Sequence, residues 1–152
     1  MSTGLEQRLR DDLTASMRAR DELTTATVRM AITAIQNEAV SGKQARELSD
    51  AEVLQVLSRE AKKRREAAEA YDSAGRPELA AREREEGEVL ARYLPEPLSD
   101  DELRALVAEA IGSLGASGMG AMGSVMKAVT PRTNGRADGG RVSAEVRKQL
   151  TA

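Results

Sequence analysis

Apolar residues recur along this chain every three or four positions and almost nowhere alternate, a pattern that predicts helices rather than sheet. Leu5, Leu9, Leu13 and Met17 form the first stripe, behind an expected capping box of Thr3 and Glu6. Val28, Ile32 and Ile35, with Ala31 and Ala34 beside them, form the second, and a stop is expected near Ser41-Gly42. Ser49 and Glu52 read as a further capping box, ahead of Val53, Val56, Leu57, Ala61, Ala68 and Tyr71. Gly75 suits the end of that helix, and Pro77 suits the first turn of a fourth carrying Leu79, Leu90 and Leu94.

The segment Pro95-Glu-Pro97 is expected to stop the fourth helix and to form a stiff link, because the residue before a proline resists the helical conformation. Ser99 and Glu102 then read as a capping box for Leu103, Leu106, Val107, Ala110 and Ile111, with the helix ending at Leu114-Gly115. Met119, Met122, Val125, Met126 and Val129 predict a short helix closed by Pro131. After Thr133-Asn-Gly135, Asp138 caps an expected last helix carrying Val142, Val146 and Leu150. The fold class expected is all-α. Residues 1–96 form a helical N-terminal domain of about four helices, and residues 97–152 a small three-helix domain whose methionines fill a loosely packed core.

Composition narrows the chemistry. The 152 residues include no Cys, His, Trp or Phe and only two tyrosines, Tyr71 and Tyr93. Thiolate nucleophiles, imidazole bases and zinc sites built on Cys or His are excluded. No apolar run reaches ~18 residues, and the first residues lack the apolar core of a signal peptide, so a soluble, cytoplasmic protein with no membrane partner is expected. The net charge is -2, unevenly spread. Residues 1–97 hold 19 acids and 16 bases, whereas 103–152 hold 3 acids and 7 bases, which makes the tail read as basic.

Three charged features invite a functional reading. The loop Gly135-Arg-Ala-Asp-Gly-Gly-Arg141 precedes a helix N-terminus, where free N–H groups favour anions. It follows a helix rather than a strand and lacks a Gly-Lys-Ser/Thr ending, so a glycine-rich turn is expected over a nucleotide cradle. The run Lys62, Lys63, Arg64 and Arg65 is surrounded by acids at helical spacing, with Glu60 four before Arg64, Lys62 four before Glu66, and Arg65 four before Glu69. A solvated, ion-paired face is expected there, with an RNA contact as the weaker alternative. Glu83 and Glu86 approach the apolar stripe of the fourth helix. Two such carboxylates can serve acid–base chemistry or a divalent ion. A structural ion pair with Arg29 is the expectation.

Taken in order, several segments resemble one family. Val28-Arg-Met30, Ile35-Gln-Asn-Glu38, Leu57-Ser-Arg-Glu60, Arg64-Arg65, Ala74-Gly-Arg76 and Tyr93-Leu-Pro95 resemble the free-standing YqeY-like proteins. Met122-Gly-Ser-Val-Met126, Gly135-Arg-Ala-Asp-Gly139 and the helix from Val142 to Leu150 are similar to the tail domain of GatB, a subunit of glutamine-dependent aminoacyl-tRNA amidotransferase. The resemblance implies kinship to carbon–nitrogen ligase activity with glutamine as amido-N-donor, and a tail that contacts tRNA. It also implies an accessory protein with no catalytic site, metal or cofactor of its own, since the large catalytic region has no counterpart here. Expected partners are tRNA and amidotransferase subunits or other translation proteins. The candidate RNA-binding residues are Lys127, Arg132, Arg136, Arg141, Arg147 and Lys148. Residues 98–152 contain no aromatic ring, so RNA would be held by backbone and shape rather than by base stacking. The alternative is a protein–protein adaptor without RNA binding.

Overall fold

The computed structural model describes residues 4–152, and the expected cap residue Thr3 lies outside them. Seven α-helices and one 3-10 turn account for the regular structure, and no strand occurs among the described residues. The helices are α1 (Gly4–Arg18), α2 (Glu22–Ala39), α3 (Asp50–Ser73), α4 (Pro77–Ala91), α5 (Asp100–Leu114), α6 (Met122–Thr133) and α7 (Gly139–Leu150); the 3-10 turn Met119–Ala121 leads into α6. The chain divides into two compact units, Met1–Pro95 and Glu96–Ala152.

Local signals set most helix ends. Ser49 and Ser99 each accept the N–H of the residue three positions on, and Glu52 and Glu102 reach back to the serine N–H groups. Both capping boxes therefore satisfy donors that would otherwise be orphaned. Asp21 caps α2 by accepting the Thr24 N–H. Gly115 ends α5 in the left-handed conformation. Arg20, in the tight turn between α1 and α2, also has a positive φ of 58°, a conformation costly to a residue with a Cβ.

In the larger unit the core is Leu9 from α1, Val28, Ala31, Ile32 and Ile35 from α2, and Val53, Val56, Leu57 and Ala61 from α3. Val89 and Leu90 from α4, with Tyr93 and the loop residue Leu48, complete it. Leu79, expected on the buried stripe of α4, is 40% exposed, and Ala80 is buried instead. Helices α3 and α4 share the most extensive contact in the chain, and small residues at Ala68, Ala80 and Gly87 suit close approach. The fourth helix stops at Ala91, short of Pro95, leaving Leu94 beyond it but packed on the core.

In the smaller unit Leu98, Leu103, Val107, Ala110, Val125, Val129, Val142, Val146 and Leu150 make the core. The methionines skirt it: Met122 and Met126 are partly buried and Met119 is exposed. Stiff valines, not flexible thioethers, fill the centre. Pro131 does not close α6, which continues to Thr133. The proline removes a donor only in the last turn. There Thr130 Oγ1 donates to Met126 O at 2.6 Å and Thr133 Oγ1 to Val129 O at 3.1 Å, adding hydroxyl donors to that turn. Among the described residues no single helix is long and apolar enough to cross a membrane.

Candidate nucleic-acid interface

The glycine–arginine loop after α6 is pinned to the start of α5. Gly135 supplies a positive φ of 78°. The Arg136 N–H donates to Thr133 O at 2.8 Å, and its carbonyl accepts the Leu98 N–H at 2.8 Å. Asp138 then accepts the Arg141 N–H at 3.0 Å and so caps α7. A Cβ at position 140 would come within 3.2 Å of the Asp138 carboxylate, so glycine there leaves the cap its room. With a side-chain carboxylate at the helix N-terminus, the loop behaves as a capped turn and not as a phosphate cradle.

That pinning decides where the predicted cations lie. Arg136 donates through Nε to Glu96 O at 2.9 Å, and its Nη2 lies 3.5 Å from Glu102 Oε2. Arg141 Nη2 meets Asp100 Oδ1 at 2.8 Å, and Arg132 Nη2 meets Glu109 Oε2 at 3.2 Å. Three of the six candidates are therefore gathered against α5, each on a carboxylate. Lys127 on α6, with Arg147 and Lys148 on α7, are exposed and have no ion pair among the described residues.

The charge of the unit changes accordingly. Counted from 103, the tail is basic; counted over the compact unit Glu96–Ala152, seven acidic residues stand against seven basic ones. The difference is Glu96 and the acidic first turn of α5, Asp100, Asp101 and Glu102, which stabilise the positive end of the helix dipole. Glu102 is held below the ordinary carboxylate range, first by hydrogen bonding with the Ser99 side chain and then with its N–H.

The second basic cluster does not behave as a unit. Lys62 pairs with Glu66 at 4.0 Å, and Lys63 with Glu60 at 3.0 Å, on the surface of α3. Arg64 turns inward. Its side chain is 16% exposed and sits among three carboxylates, at 3.2 Å from Glu60, 3.7 Å from Glu83 and 3.5 Å from Glu86. The predicted partner of Glu83 and Glu86, Arg29, is exposed and contacts Met17 Sδ at 3.5 Å instead. Arg64 wins because α3 packs along α4 far more extensively than α2 does, and it places Arg64 beside Gly87, where a Cβ would lie 3.9 Å from the Arg64 Cβ. A visible signal was missed: Leu57, Glu60, Ala61, Arg64 and Ala68 share one helical stripe. Among the described residues no group of three or more acidic side chains is placed to hold a metal ion.

A family model described as Yqey-like protein matches residues 6–150, nearly the whole chain. The chain belongs to the YqeY-like family. No curated protein is similar enough to add a named relative.

In this YqeY-like chain the Tyr93-Leu-Pro95 segment is fastened to α1. Tyr93 is 6% exposed, its hydroxyl donates to Asp12 Oδ2 at 2.5 Å, and the Arg8 guanidinium lies 4.7 Å from the ring centroid. Arg8 also donates to Arg92 O at 3.1 Å. Burial, then the hydrogen bond and negative charge of Asp12, push the phenol well above its ordinary value. The ring acts as an anchor for the chain after α4.

Proposed function

We propose that this protein is a non-catalytic accessory factor whose smaller unit contacts folded tRNA in the cytoplasm, with the larger helical domain docking to amidotransferase subunits or other translation proteins. Membership of the YqeY-like family and the resemblance of the 122–150 segments to the GatB tail support the reading. The observation that carries it is the set of exposed, uncompensated cations Lys127, Arg147 and Lys148 on a unit without aromatic rings. Such a surface suits phosphate contacts on a folded RNA and offers nothing on which to stack a splayed base.

Filter binding across a salt series tests this. Three uncompensated cations engaging phosphate give a log–log slope of about -2 to -3. Folded tRNA is expected to bind better than a polyuridine strand, and equal affinity for both overturns the reading. A second reading, a protein adaptor without RNA binding, is favoured by the charge-free run 110–126, where Leu114 and Met119 are exposed. Pull-down of amidotransferase subunits without tRNA would support it.

A further inference from the structure

We infer that the acidic edge of α5 masks the arginines of the smaller unit, occupying them with carboxylates that RNA phosphate must displace. The inference rests on the tRNA reading above and concerns the control of that surface.

Every acidic residue of α5 meets an arginine. Asp100 holds Arg141, Glu102 holds Arg136 and Glu109 holds Arg132, while Asp101 is taken at 2.7 Å by Arg104 of the same helix. Glu102 and Glu109 are seven residues apart, so they lie on one stripe of α5 about 10 Å apart along its axis. The two arginines facing that stripe therefore form a short row. Backbone contacts fix Arg136 in that row through its own N–H and carbonyl, and the Asp138 cap holds Arg141 at the start of α7.

The mask is weak by construction. Glu102 and Glu109 are 57% and 63% exposed, and ion pairs in water hold their partners only loosely. A single small anion gains little by replacing one carboxylate. A folded RNA offering several phosphates at once displaces a row together, and the guanidinium fork matches phosphate oxygens in pairs. The carboxylates thus set a threshold. They lower affinity for every polyanion and lower it most for one whose phosphates are not held in register. Hydrogen bonding with Ser99 favours the ionised form of Glu102, so its share of the mask extends below the ordinary carboxylate range.

The test uses the full chain with Glu102→Gln and Glu109→Gln together. Glutamine at position 102 preserves a capping box, so the helix start is retained. A charge-matched control carries Glu96→Gln and Glu145→Gln; Glu96 meets Arg136 only through its backbone carbonyl, and neither side chain holds one of the arginines paired with α5. Affinities for folded tRNA and for polyuridine are measured over a salt series, with circular dichroism melts on each variant. Unmasking is expected to tighten tRNA binding about two- to five-fold per carboxylate. The salt slope is expected to steepen by about one per freed arginine. Preference for folded RNA is expected to shrink, and the control to keep the original preference and slope. Equal gains in control and unmasked variants, or no gain in a wild-type protein that binds tRNA, overturn the mask alone. No RNA binding by either protein at any salt overturns the tRNA reading with it.

Discussion

Arg64 in the larger unit and Arg132, Arg136 and Arg141 in the smaller one use the same chemistry to different ends. All four pair with glutamate or aspartate across helices or along one. Arg64 is 16% exposed and serves three carboxylates at once, of which Glu60 is buried. Removing a charge from such a site strands its partners away from water. The arginines of the smaller unit have partners standing in water, so the pairs add little to stability and can be exchanged. Burial, more than distance, separates a structural guanidinium from one available to a ligand.

That contrast can be broken in several ways. Arg64→Met is expected to cost about 3 kcal/mol, whereas Arg132→Met is expected to cost less than about 1 kcal/mol. Urea denaturation of both reads the difference, and comparable losses would erase the distinction drawn here. Alkaline pH separates the units next. Tyr93 has a folded pKa raised above its unfolded value near 10. Its contribution is fully present below pH 10 and is lost as pH rises from there toward the folded value, at about 1.4 kcal/mol per pH unit. In a Tyr71→Phe background the remaining phenol should titrate above the ordinary range by ultraviolet absorbance, and Tyr93→Phe should remove the alkaline slope. An ordinary titration would dissolve the anchor.

The two capping boxes offer a matched pair. Ser49→Ala and Ser99→Ala should each cost about 1 kcal/mol, since both remove the same acceptor at a helix start. Thermal melts that differ widely would show that the surroundings, not the cap, set the cost. Below pH 4.5 both boxes also weaken: Glu52 and Glu102 have folded pKa values lowered from about that value, so their contribution is present above it and lost as pH falls. The smallest expected effect is a gain. Arg20→Gly relieves a left-handed residue and is expected to stabilise by about 0.5 kcal/mol, read as a small rise in Tm.

Features written in adjacent residues were legible in the sequence: the boxes at Ser49 and Ser99, the Asp138 cap and the Gly115 stop depend on neighbours three or four positions away. Features that depend on which helix lies alongside were not. Leu79 and Ala80 differ by only one step around α4, and the close approach of α3 selects the smaller side chain for the inside. Arg29 and Arg64 both stood beside apolar stripes, and only the packing of α3 on α4 decides between them. A count of the candidate cations begun at residue 103 omitted Asp100 and Glu102, which hold two of the six, Arg141 and Arg136.

Both tyrosines, Tyr71 and Tyr93, belong to the larger unit, and the chain has no tryptophan. Near-ultraviolet absorbance and intrinsic fluorescence therefore originate in one unit, while far-ultraviolet dichroism sums the helices of both. The missing rings of the smaller unit turn the natural protein into a singly labelled one. Comparison of its two optical melting curves reads out whether the units unfold together, with no dye attached.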